Sequence, residues 1–162
     1  MKKIFLALIS LLLIVGFIAE ASFAKSSRSH SVKHRVVRKP APPPIVVAHI
    51  DISSQTMSVR VNGLPRSYWK VSTGGNGHYT PRGTYRVQRM AKVYYSRKYD
   101  NSPMPNSIFF YGGYAIHGTN HIKKLGRPVS HGCVRLHPSN AAALYAMVKR
   151  HGASRTRITL SN

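Results

Sequence analysis

The one cysteine of this 162-residue chain, Cys133, lies in the run Ser130-His131-Gly132-Cys133-Val134-Arg135, and a second histidine-glycine pair, His117-Gly118, precedes it. A lone thiol has no partner for an intramolecular disulfide, which leaves an inert buried thiol, an intermolecular bridge or a nucleophile. The flanking histidine and glycine favour the nucleophile. A thiolate needs a base or a cation beside it, and a glycine turn lets substrate approach closely. On this reading His117 deprotonates Cys133 or ion-pairs with it, and the thiolate attacks an amide carbonyl. Backbone N–H groups of His131, Gly132 and Cys133 then face the tetrahedral oxyanion. A third group must hold the imidazole in one tautomer. Beyond residue 24 the only carboxylates are Asp51 and Asp100, so a backbone carbonyl, that of Gly118, is expected to orient His117. The same scarcity argues against a carboxylate-pair hydrolase.

Metal binding is the chemical rival, since His117 and His121 are four apart and His131, Cys133 and His137 follow. The first pair spans Gly118-Thr119-Asn120, which does not read as helix, so nothing puts both rings on one face. No glutamate accompanies them as a base. The expectation is no metal and no cofactor, with His121 and His137 ordinary loop residues and His131 tuning the thiol or anchoring its turn. Tyr94, Tyr95, Tyr99 and Met104 fall in an aperiodic stretch between residues 91 and 106, a candidate loop over the site. There they either wall the substrate, Tyr99 above all, or anchor the loop. Thr73-Gly74-Gly75-Asn76-Gly77 lacks the lysine-serine and helix of a phosphate cradle and reads as a turn.

The elements that must position these residues read mostly as strand. Ile45–Asp51 is rich in β-branched residues, Met57–Val61 alternates, and Asn62-Gly63 is a two-residue hairpin signal. Alternation resumes over Ser67–Thr73 and Thr84–Gln88. Ser107–Tyr111 and Tyr114–His117 read as two strands joined at Gly112-Gly113, and Arg157–Leu160 as a closing strand. One helix is expected at about 139–151: caps at Pro138-Ser139-Asn140, a stripe of Ala141, Leu144, Tyr145 and Val148, basic Lys149-Arg150-His151, and a stop at Gly152. Trp69, Tyr85, Phe109 and Phe110 are expected in or near the core. Several strands with one late helix describe a mainly β domain, a sandwich or partial barrel.

The N-terminus carries its own signal. Met1-Lys2-Lys3 is basic, residues 4–19 are nearly all apolar, and small residues at Ala19-Glu20-Ala21 or Ser22-Phe23-Ala24 offer cleavage points. This is the layout of a signal peptide over 1–24, and the apolar run is short for an uncleaved membrane anchor. Residues 25–44, basic and ending in Pro42-Pro43-Pro44, read as a disordered linker. Residues 45–162 form one domain. The chain has 25 Lys+Arg against 3 Asp+Glu, a net charge of +22, which predicts attraction to a polyanion. For an exported chain, envelope polymers and acidic lipids come before nucleic acid.

His117-Gly118-Thr119-Asn120, a short gap, and Ser130-His131-Gly132-Cys133-Val134-Arg135-Leu136 resemble the L,D-transpeptidase catalytic domain, also called YkuD-like. Ser72-Thr73-Gly74 with Thr80-Pro81-Arg82-Gly83 resembles its second block, and Val46–Gly63 its opening strand pair, so the resemblance covers residues 45–162. It implies an L,D-transpeptidase-like β-sandwich of mixed sheets in the periplasm or cell wall. Cys133 is then the acylated nucleophile, His117 the base, Gly118 the orienting carbonyl, and His131, Gly132 and Cys133 the oxyanion site. Arg135 is a carboxylate-binding or structural cation and Ser130 a turn former. The implied substrate is a peptidoglycan tetrapeptide stem, cleaved after its third residue to release D-alanine and leave a thioester. An amine on a neighbouring stem or an envelope protein resolves the thioester, or water does in an L,D-carboxypeptidase. Members of the family are typically acylated by carbapenems.

Sortase-like enzymes also carry His, Cys and Arg in that order, but with a longer His–Cys separation and without Ser-His-Gly-Cys. Papain-like wall peptidases place Cys before His. A non-catalytic wall-binding module is the reading from another class. Nucleic-acid binding rests on charge alone, without a recognisable motif.

Overall fold

The computed structural model describes residues 42–162 apart from Asn76. The expected signal peptide and almost all of the expected linker lie outside the described residues. β1 (Val46–Asp51) alternates buried Val46, Ala48 and Ile50 with half-buried Val47, His49 and Asp51. β2 (Thr56–Val61) buries Met57, Val59 and Val61 on the same side. Asn62 and Gly63 both take positive φ, 52° and 79°, the backbone sign of the tight turn that matches strand twist. β3 (Leu64–Lys70) therefore starts directly after the turn. The expected strand was Ser67–Thr73; alternation located the segment, but turn length sets where pairing begins.

β4 (Gly83–Arg86) and β5 (Arg89–Ala91) follow. The stretch expected as loop contains a small hairpin of its own, β6 (Tyr95–Ser96) against β7 (Ser102–Pro103). β8 (Ser107–Tyr111) and β9 (Tyr114–Gly118) match the expected pair. β10 (Val134–Leu136) was not foreseen as a strand: three residues are too few to show a period. α1 spans Pro138–His151 and β11 Thr156–Ser161.

The helix cap is His137, one residue before the expected group, and its Nδ1 accepts from the Ser139 N–H at 3.3 Å. Pro138 then occupies the first turn, where its missing N–H costs nothing. Gly152, at φ 95°, stops the helix as expected.

Two main sheets result, β3-β2-β1-β11-β4 and β10-β9-β8-β5. The pairs β1–β11 and β9–β10 are parallel and the others antiparallel. Their facing sides and α1 enclose one core: Ile50, Met57 and Ile158 from the first sheet, Phe110, Ile116 and Leu136 from the second, Leu144 and Val148 from the helix. This is the expected mainly β architecture of mixed sheets with one helix. Trp69 and Tyr85 pack on its rim, while Phe109 belongs to a separate small cluster with Met104 and Ala115.

Ile158 is fully buried at the centre of this core. Ile158→Ala is expected to lower unfolding free energy by about 2–5 kcal/mol, read from urea denaturation.

Candidate active site

The parallel pairing of β9 and β10 sets Val134 beside Ile116 and Arg135 beside His117. Side chains alternate along a strand. Ile116, Val134 and Leu136 therefore point into the core, whereas Ala115, His117, Cys133 and Arg135 share the outer face of the sheet. The apolar core residues thus hold the interleaved polar ones in place.

Two further strips of chain clamp the cysteine turn. On the side of β10 away from β9, Ser72 exchanges backbone hydrogen bonds with Arg135 at 3.0 and 2.8 Å, and the Ser130 N–H donates to Thr73 O at 2.8 Å. The buried Gln55 ties down that strip: its amide donates to Thr73 Oγ1 at 2.6 Å and accepts from the Thr73 N–H at 2.9 Å. Within the turn, Ser130 Oγ accepts from the Gly132 N–H at 3.0 Å and donates to Cys133 O at 2.6 Å. Thr80 Oγ1 donates to Gly132 O at 2.8 Å and accepts from the Gly74 N–H at 2.7 Å. Gly132 itself has φ 115°, and a Cβ there would stand 2.6 Å from the Tyr114 ring and 2.8 Å from Tyr79 O. Both backbone conformation and space demand glycine.

These contacts bear on the three backbone donors expected to face an oxyanion. The Gly132 N–H is engaged by Ser130 Oγ. The N–H groups of His131 and Cys133 have no hydrogen-bond partner among the described residues.

His117 is buried, and its Nδ1 lies 2.8 Å from Gly118 O. A carbonyl only accepts, so Nδ1 carries the proton and Nε2 is left as the bare acceptor. Burial holds the His117 pKa down at about 4; the Gly118 carbonyl opposes the shift, and the Arg135 guanidinium adds to it. The ring is therefore neutral at pH 7. Burial pushes the Cys133 thiol up, opposed by the Ala115 N–H and by Arg135. At neutral pH the resting state is thus thiol and imidazole, not thiolate and imidazolium.

Arg135 is half-buried beside them and makes no side-chain hydrogen bond or ion pair among the described residues, so its guanidinium is available to a ligand. Tyr99 stacks on His131 with ring centroids 4.6 Å apart and planes 17° apart, and His78 meets His131 edge-on at 4.5 Å. His131 is exposed, and partial burial followed by the charges of His78, Arg135 and Lys98 lowers its pKa. The hairpin segment lies over the thiol face. Tyr94 packs edge-on against Phe109 at 5.0 Å, Met104 joins the small cluster that Cys133 borders, and Pro105 O accepts from the Gly118 N–H at 2.9 Å. A cavity of about 370 Å³ results, lined by Tyr99, Met104, His117, His131, Cys133 and Arg135. A second, of about 520 Å³, reaches Cys133 past His78, Tyr94 and Lys98.

Of the residues singled out from sequence, Cys133, His117, Gly118, His131, Gly132, Arg135 and Tyr99 gather here. Tyr94 and Met104 contribute walls, whereas Tyr95 is not among the residues lining either cavity and is 56% exposed. His121 borders the first cavity, and His137 caps α1. Thr80 and Gln55 escaped notice as positioning residues. Thr80 sat in a block noted for its resemblance without a chemical role, and a single buried glutamine carries no spacing signal.

The L,D-transpeptidase catalytic domain (YkuD) family model matches residues 45–158. The chain belongs to that family. Among solved structures it is similar to an L,D-transpeptidase from Mycobacterium smegmatis, with 26% identity over 74% of this chain and 59% of that one, at a TM-score of 0.64. An L,D-transpeptidase from Xylanimonas cellulosilytica gives 25% identity over 75% and 63%, at 0.61. One from Stackebrandtia nassauensis, at 24% identity over 80% and 62% and a TM-score of 0.65, supports the fold. The chain thus spans about three fifths of the length of these structures. No curated protein matches it.

A neutral resting pair has a kinetic signature. Because burial raises the thiol, alkylation of Cys133 by iodoacetamide is expected to keep accelerating with pH through the ordinary thiol range. A rate plateau already reached below pH 7, followed by intact mass, would instead reveal a preformed ion pair.

Proposed function

We propose that this chain is an exported cysteine L,D-transpeptidase that acts on peptidoglycan tetrapeptide stems through a thioester at Cys133. The observation that carries the reading is the shared outer face of β9 and β10, which brings a thiol, a neutral imidazole of defined tautomer and an unpaired guanidinium to one cavity. Family membership supports the same chemistry.

In this mechanism His117 Nε2 takes the proton from Cys133 as Sγ attacks the carbonyl carbon of the stem's third residue. The thiol needs this base because burial holds it protonated. Negative charge developing on the carbonyl oxygen is met by the N–H groups of His131 and Cys133, which have no partner to give up among the described residues. The intermediate collapses with scission of the C–N bond, and the proton on Nε2 goes to the departing amine of D-alanine. An amine then attacks the thioester carbonyl, His117 accepts its proton, and the C–S bond breaks to return the thiol. Gly118 O holds Nδ1–H through both halves, so the ring keeps one orientation. Arg135 binds a substrate carboxylate, and Tyr99, held against His131, forms the opposite wall.

An amine on a neighbouring stem makes a cross-link, and a lysine of an envelope protein attaches that protein to the wall. Export and placement in the periplasm or wall rest on residues 1–24 as a signal peptide, followed by a 25–44 linker and the 45–162 catalytic domain. Membrane association follows only if that first segment stays uncleaved.

Purified tetrapeptide muropeptide incubated with the enzyme and an added amine is expected to lose D-alanine and gain the amine by mass spectrometry. Cys133→Ala is expected to abolish both changes. Conversion by that variant would overturn the mechanism, while loss of D-alanine without gain of the amine would make the enzyme an L,D-carboxypeptidase. Arg135→Gln is expected to lower kcat/KM by about tenfold or more, the scale of a charge-assisted hydrogen bond. Unchanged kcat/KM would remove Arg135 from substrate binding.

A further inference from the structure

The reverse of the molecule from the thiol carries an arrangement that acyl transfer does not use. On β1, Val47 pairs with Arg60 of β2 on one side and Arg157 of β11 on the other, and Arg157 pairs directly with Arg86 of β4. Register partners point to the same side of a sheet. All three arginines are exposed, and the interleaved Val46, Val59 and Ile158 face the core. Strands are about 4.8 Å apart, so Arg86 and Arg157 are neighbours and Arg60 lies about 10 Å further along the same row. At the β3 edge Arg60 pairs with Pro65, and the next residue, Arg66, lines a cleft of about 480 Å³ with Arg150.

Like charges directly opposite on neighbouring strands weaken their pairing. Nothing within the described residues relieves these. The only side-chain carboxylate on the same face among the described residues, Asp51, accepts from the Ser53 N–H at 2.9 Å, Ser53 Oγ at 2.6 Å and the Ser54 N–H at 3.1 Å, and so is held in its own turn. Between Asp51 and the arginine row runs a band of hydrogen-bonding side chains. His49 stands between Ser58 and Thr159, with Tyr68 and Thr84 completing the row across all five strands. A sheet face with cations along one side and hydroxyls along the other suits an extended, hydrated polyanion rich in carboxylates and hydroxyls.

We propose that this outer sheet face is a docking surface for a peptidoglycan strand, whose stem carboxylates are gripped by Arg60, Arg157 and Arg86. The partner's identity rests on the substrate reading given above. An anionic lipid surface fits less well, because membrane-surface binding wants an apolar band to insert beside the cations and this face offers hydroxyls there. Single-stranded nucleic acid wants several stacking rings, and Tyr68 is the one exposed aromatic ring on the face. The arginine row and the thiol lie on opposite outer faces, with the core between them. An enzyme held by its back on one glycan strand presents its thiol to another, which is the geometry a cross-linking reaction needs.

The test is co-sedimentation of the full chain with purified peptidoglycan sacculi and, separately, with vesicles of anionic phospholipid, across a salt series. Arg60→Gln, Arg86→Gln and Arg157→Gln combined are expected to weaken sacculus binding by about tenfold at low salt, the scale of three exposed ion pairs, and to flatten its salt dependence. Removing the opposed charges is also expected to keep or raise the thermal midpoint, so lost binding is not lost folding. Cys133→Ala is expected to bind sacculi like the wild type, which separates docking from catalysis whatever the acyl-transfer assay shows. Equal retention of the triple variant and wild type on sacculi would overturn the proposal. So would a loss confined to the vesicles, which would make the face a lipid-binding surface.

Discussion

Three residues of β10, paired in parallel with the end of β9, hold the chemistry of this domain in place. Val134 and Leu136 are fully buried and Ile116 nearly so. A slip of one residue in this pairing would turn an arginine into the core and a valine out to solvent. The hydrophobic cost of that slip is what keeps Cys133 and Arg135 on the same face as His117. The thiol, imidazole and guanidinium are located by the apolar residues between them, and no bond between thiol and imidazole is needed to bring them together.

A three-residue strand cannot hold such a register unaided, and the neighbouring strips supply the remainder. The Ser72 strip closes β10 from its far side, Gln55 anchors that strip, and Thr80 ties it to the cysteine turn through Gly132 O. Ser130 stabilises the turn through its hydroxyl, in contact with both Gly132 and Cys133. These hydrogen bonds fix the turn from several directions at once. Burial has a second consequence. It holds His117 neutral and Cys133 protonated, so at neutral pH the imidazole is free to accept a proton and the thiol still carries one.

The two outer faces of the sandwich differ in how they are covered. The hairpin segment of residues 92–106 shelters the thiol face, with Tyr94 on Phe109, Tyr99 on His131 and Pro105 against Gly118. The opposite face has no covering segment among the described residues and leaves arginines in register. Shelter limits the access of water to the thiol, whereas the open face leaves its arginines in solvent.

Much of the site was legible in the amino-acid order. Ser130-His131-Gly132-Cys133 with His117-Gly118 upstream carries its own chemistry, and the near absence of carboxylates pointed to a carbonyl beside the imidazole. β-branched composition exposed β1, alternation β2, the Gly112-Gly113 turn the pair β8 and β9, and helical spacing α1, because each of these elements is long enough to carry such a signal. Two kinds of information were not legible there. β10, β6 and β7 are too short to have a period, and the roles of Thr80 and Gln55 depend on strips that meet only after the sheets form. The neutral state of the Cys133–His117 pair is of the same kind. Desolvation sets it, and desolvation is a property of what surrounds a side chain, which the chain's order determines only through the completed fold.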